Sequence, residues 1–137
     1  MRLSSKNLSL LFTAGALGGL ANSLCVWGLG ALGLPLALGV KLAPALSAPW
    51  LYQRLVWGGL WSVLFLLPQP RWPYEVRGLF FSLGPSLATF FLVLPLQAHK
   101  GLFGFQLGAL TPLFVLFYNA VWGVVAGLWL RLTEKAA

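Results

Sequence analysis

Four apolar runs, at 8–32, 49–67, 78–96 and 109–130, take up most of the 137 residues. Each has about the length that crosses a hydrocarbon layer, roughly 20 residues at helical rise. The breaks between them gather proline, glycine and charge. The sharpest is "PQPRWPYEVR" at 68–77, whose three prolines cannot continue a helix. In hydrocarbon every backbone N–H and C=O needs an internal partner, so runs of this kind must be helical. The strict alternation of barrel strands is absent from them.

Composition points the same way. Charged residues make up 8 % and apolar residues 59 % of the chain, against roughly 25 % charged in soluble domains. A globule this poor in charge has too little polar surface to face water. The sequence therefore predicts an all-α integral membrane protein, an antiparallel four-helix transmembrane bundle forming a single domain over 1–137. Arg2 and Lys6 precede the first run as in a signal peptide, but the run is too long for a secretory core and is expected to be retained. Cys25 is the lone cysteine, which rules out an intrachain disulfide. Leu24 stands where a lipidated cysteine needs a small residue before it.

The net charge of +7 comes from basic residues scattered at segment ends, which suits a membrane surface rather than nucleic acid. In a four-span chain Arg2, Lys6, Arg71, Arg77, Arg131 and Lys135 share one side, and Lys41, Arg54 and Lys100 the other. The positive-inside rule then predicts both termini in the cytoplasm, in an inner or plasma membrane. The outer loops, "LPLALGVKLAPALS" at 34–47 and "QAHKGLFGFQLG" at 97–108, are nearly as apolar as the spans. They are expected to lie at the interface, fold back into the bundle or cover a partner.

The triplet Val-Trp-Gly occurs at 26–28, 56–58 and 121–123. Around the second and third copies the order tyrosine, side-chain amide, triplet, tryptophan recurs (Tyr52, Gln53, Trp57, Trp61; Tyr118, Asn119, Trp122, Trp129), and Pro49 and Pro112 precede them. A tandem repeat of two helical hairpins would produce this pattern; convergence at membrane edges is the alternative. Trp27, Trp50, Trp72 and Trp129 suit the headgroup level. Trp57, Trp61 and Trp122 are expected in central turns, where each indole N–H needs an acceptor. Small residues recur at helical spacing: Gly15, Gly19 and Ser23; Gly58, Gly59 and Ser62; Gly78, Ser82 and Ser86; Gly123 and Gly127. Such faces let helices approach closely. Val-Trp-Gly reads as a ring set into a neighbour's glycine groove. The other reading makes Trp57, Trp61, Trp122, Gly58 and Gly123 the wall of a pocket for a flat or lipidic ligand.

Polar groups within the spans are few: Asn22, Ser23, Gln53, Arg54, Ser86, Thr89 and Asn119. Asn22 and Asn119 are placed to meet across helices. Arg54 lies about 7 Å beyond Pro49 at 1.5 Å per residue, with no acidic residue in any span or outer loop. It either snorkels outward or is held by helix carbonyls, by Gln53 or Asn119, or by an anion such as a lipid phosphate. Arg54, Gln53, Asn22 and Asn119 are thus the candidate anion, lipid or pathway residues.

The machinery of catalysis is missing. No carboxylate lies at membrane depth, as a proton relay or a small multidrug exporter requires; His99 is the lone histidine, and no phosphate loop, zinc motif or nucleophile–base pairing occurs. No enzyme activity, cofactor or metal is expected. The leading functional expectation is a non-catalytic protein acting through helix and loop contacts, an accessory, assembly or stabilising subunit of a membrane complex. Its expected partners are membrane lipids and other membrane subunits or a second copy, with no nucleic acid. The alternatives are a small oligomeric transporter or channel for an anion or lipid-like substrate, and a lipid- or isoprenoid-binding protein.

Overall fold

A computed structural model describes residues 3–68 and 71–136, with side chains through 134. Among these residues every regular element is helical. Helix α1, Ser5–Leu32, opens where the Ser4 hydroxyl accepts the Asn7 N–H and closes on Gly33 at φ 82°, which donates back to Leu29 and Gly30. Helix α2, Leu34–Ala37, carries Pro35 in its first turn. Helix α3, Ala48–Trp61, is capped by the Ser47 hydroxyl and has Pro49 in its first turn.

The run at 49–67 is not one α-helix. At Ser62 it tightens into a 3-10 turn, Ser62–Leu66. Gly58 and Gly59 weaken the preceding turn, the Ser62 hydroxyl donates to the Gly59 carbonyl, and Pro68 follows shortly after. Trp61 therefore ends α3 instead of sitting in a central turn.

The third run also departs from a plain helix. It begins at Tyr74, not Gly78, because Pro73 presets the entry and Glu75 suits the positive first turn. Helix α4, Tyr74–Phe81, breaks at Ser82, since Pro85 has no N–H to offer the Phe81 carbonyl. Helix α5, Leu83–Ala88, passes into a π-helix, Thr89–Gln97, with Pro95 inside it. Hydroxyls mend the weakened ladder: Ser82 donates to Leu79, Ser86 to Ser82 and Thr89 to Pro85 carbonyls, at 2.6–2.8 Å. Helix α6 runs Thr111–Ala136.

Three stretches are long and apolar enough to cross a membrane: Ser5–Leu32, Tyr74–Gln97 and Thr111–Glu134. Helices α1 and α6 form the centre; α3 packs on α1 and α4 on α6. Glycines make this approach possible. A Cβ on Gly58 would lie 2.6 Å from the Gly15 carbonyl oxygen, and one on Gly78 would lie 2.5 Å from the Gly123 carbonyl carbon. The backbones thus touch directly at both crossings.

The apolar contacts divide into levels. Toward the Glu75 end, Leu11, Ala14, Phe65, Phe81, Trp122, Ala126 and Leu130 form one buried cluster. Toward the end that carries Lys41 and Lys100, Val26, Val40, Phe114 and Tyr118 form a second, and Phe90, Leu94 and Val115 a third. The two apolar loops fold back on this end. Val40 is fully buried, Phe103 packs against Phe90 and Phe91, and the Lys41 N–H bonds the Leu107 carbonyl at 2.9 Å.

Candidate functional site: a polar belt across the helices

Between the apolar levels runs a line of polar side chains drawn from α3, α1, α6 and α5. The Arg54 Nε donates to the Ser23 Oγ at 2.9 Å, and its Nη2 donates to the Asn22 Oδ1. The Asn22 Nδ2 donates to the Tyr118 carbonyl at 2.6 Å and lies 3.4 Å from the Asn119 Oδ1. The Asn119 Nδ2 donates to the Ser86 Oγ at 3.0 Å, and Ser86 passes its own proton to the Ser82 carbonyl. Every donation runs away from Arg54. Both amides therefore turn their oxygen ends toward the guanidinium, and their dipoles favour its positive charge.

Local sequence explains why the belt forms. Asn22 and Ser23 continue the face of α1 that carries Gly15 and Gly19, so they point at α3 and α6. Gly19 lets the Arg54 backbone come close: a Cβ there would sit 2.8 Å from the Arg54 carbonyl oxygen. Trp50 precedes Arg54 by one helical turn, and the guanidinium stacks on its ring, 4.8 Å from the centroid. The side chain thus rises one turn and is held on α1, partly buried, rather than running free to the surface.

The candidate residues separate. Arg54, Asn22 and Asn119 join one network. Gln53 is exposed on the other side of α3, with no side-chain hydrogen bond among the described residues. The tryptophans separate as well. Trp122 is buried, and its indole N–H is shared between the Gly15 and Gly58 carbonyls at 3.2 Å each. Trp61 is partly buried against the cluster toward the Glu75 end, while Trp57 is 60 % exposed. They do not face one common pocket. A ring in a glycine groove describes the third Val-Trp-Gly alone. In the second copy the glycine packs and the ring points out, and in the first Gly28 has nothing within 4 Å of a Cβ position.

In the sequence Ser23 and Ser86 stand out as small, polar residues on glycine-bearing faces with no sign of a shared network, and Trp50 suits the headgroup level. The usable signal for Trp50 was its four-residue spacing from Arg54. Among the described residues no three His, Cys, Asp or Glu side chains gather as a metal site would need. The belt itself offers hydrogen-bond donors and one positive charge.

No model of a known protein family matches the chain, and no match to it was found among the curated proteins or the solved structures.

Proposed function

We propose that the chain is a non-catalytic multi-pass membrane protein that works through its helix and loop surfaces, as an accessory, assembly or stabilising subunit. The observation that carries this is the outer stripe of α3. Tyr52, Gln53, Val56, Trp57 and Leu60 lie on one face, all exposed, with Tyr52 and Trp57 64 % and 60 % accessible. A primary amide facing hydrocarbon without a partner is costly. A neighbouring membrane protein that covers the stripe and bonds Gln53 removes that cost.

The same reading takes α3 and its 3-10 continuation as the fourth span of an antiparallel bundle. Fourteen α-helical and five 3-10 residues reach about 31 Å at rises of 1.5 and 2.0 Å, matching the ~30 Å hydrocarbon layer. Contacts in which one partner's number rises as the other's falls support the antiparallel order: Gly15 with Gly58 and Gly19 with Arg54; Gly18 with Trp122 and Asn22 with Tyr118. The Arg131–Glu75 ion pair, at 2.9 Å, joins the start of α4 to the last turns of α6. That end also carries Lys6, Arg71 and Arg77, so it is the cytoplasmic one, in an inner or plasma membrane. Arg2 and the Lys135 side chain, counted on the same side, lie outside the described residues. The two glycine crossings, Gly15–Gly58 and Gly78–Gly123, with Arg54 and Asn119 each four residues before the second glycine, support a tandem hairpin repeat. The opposite burial of Trp57 and Trp122 marks where the two halves have diverged.

Native mass spectrometry of the protein, extracted gently from its own membrane, tests this. The expected result is a complex with other membrane subunits that Trp57→Ala and Gln53→Leu dissociate and Phe91→Ala leaves intact. A bare monomer or an assembly of this chain alone overturns the accessory role.

A further inference from the structure

We propose that Arg54 is an oxyanion-binding centre whose ligand is a phosphate or phosphodiester group, held against α3 by the guanidinium edge that the belt leaves open. The site stands apart from the accessory role and holds whether or not a partner subunit exists.

Charge balance is the first argument. The chain has two acidic residues. Glu75 is taken by Arg131 at the far end of the bundle, and Glu134 lies in the last turns of α6. Neither is at the level of the belt. Arg54 is therefore a permanent cation in the span with only neutral acceptors around it, an arrangement that is expensive without a counter-charge. The oriented amides of Asn22 and Asn119 offset part of that cost, but dipoles leave the net charge at +1.

Donor geometry is the second. A guanidinium has five N–H groups in a plane. Nε is spent on Ser23 and one Nη2 hydrogen on Asn22, and the other three have no partner among the described residues. The neighbours cannot turn to serve them. Ser23 gives its own proton to the Gly19 carbonyl at 2.6 Å, and the Asn22 amide is fixed by its bonds to Tyr118 and Asn119. Trp50 covers one face of the plane. What remains is an in-plane fork of donors, the geometry that matches two oxygens of a phosphate group.

Position is the third. Arg54 lies six residues into α3, about 9 Å along its axis at 1.5 Å per residue. A lipid headgroup drawn slightly inward from the nearer interface reaches that depth, and so does a small anion. Both present the same chemistry to the fork.

The test uses the full chain, delipidated in a neutral detergent and treated with the arginine reagent phenylglyoxal. Modification at each arginine is read by peptide mass. Phosphatidylglycerol is expected to slow modification of Arg54 at least fivefold, while diacylglycerol, with the same tails and no phosphate, does not, and Arg71 is unaffected. Equal protection by inorganic phosphate identifies a free anion as the source; protection by the phospholipid alone identifies a headgroup. In native mass spectra Arg54→Gln, which keeps a donor for Asn22, is expected to lose the preference for phosphatidylglycerol over diacylglycerol, and Arg54→Lys to keep part of it. Protection of Arg54 by neither phosphate compound beyond that of diacylglycerol overturns the proposal. So does an Arg54 that stays unmodified in the delipidated chain, or a preference that survives in folded Arg54→Gln.

Discussion

Asn119 donates from its amide nitrogen to the hydroxyl oxygen of Ser86 across 3.0 Å, tying α6 to the segment beside Pro85. The bond secures the weakest stretch of the third run, where the α-ladder breaks at Ser82 and the helix turns to π geometry at Thr89. Interhelical bonds of this kind average about 0.6 kcal/mol in membranes and reach about 1.7. A double-mutant cycle with Asn119→Leu and Ser86→Ala, read by reversible unfolding in bicelles, is expected to give a coupling of about 0.6–1.7 kcal/mol. Additive single effects would mean that the two side chains do not act together.

Trp122 and Trp57 predict opposite behaviour from the same triplet. Trp122→Phe removes a donor shared by two helices and leaves a gap among Leu11, Phe81 and Ala126. The expected loss is about 1–2 kcal/mol. Trp57→Phe, on the exposed stripe, is expected to change the stability of the isolated chain by less than about 0.5 kcal/mol. The same unfolding titration checks both, and equal losses would contradict the burial described for the two rings.

The glycines separate in the same manner. At Gly123 a Cβ would strike the backbone of Gly78, which has no flexible atom to move aside, so Gly123→Ala is expected to cost about 2–3 kcal/mol by forcing α4 off α6. At Gly28 a Cβ meets nothing within 4 Å. There Gly28→Ala is expected to stabilise α1 by up to about 1 kcal/mol through helix propensity. Thermal unfolding of the two variants should move in opposite directions.

Sidedness is measurable with a membrane-impermeant maleimide on a Cys25→Ala background. Lys100→Cys is expected to react in intact cells, and Arg71→Cys only after the membrane is opened. The reverse pattern would overturn the placement of both termini in the cytoplasm.

Much of the architecture is legible in the residues alone. The low charge sets the solvent, the solvent requires helices, and the prolines of "PQPRWPYEVR" fix a break ahead of the helix that starts at Tyr74. The glycine spacings also named the faces that meet, and Gly15, Gly58, Gly78 and Gly123 are the residues at the crossings. The departures from plain helix lay in local chemistry that a hydropathy reading passes over: Pro85 and Pro95 inside an apolar run, and Ser62 after paired glycines.

What the tertiary structure alone decided is the rotation of each helix about its axis. In a soluble bundle the apolar stripe identifies the inner face. Helix α1 is about equally apolar all round, and a lipid tail is as good a neighbour for leucine as the bundle core is. Residue type alone does not tell Trp122, which points in, from Trp57, which points out, nor, as polar residues, Arg54 from the adjacent Gln53. The choice is made by contacts between helices: glycine backbones that can touch, an indole that finds two carbonyls, and an arginine that meets Asn22 and Ser23 only once α1 and α3 have packed.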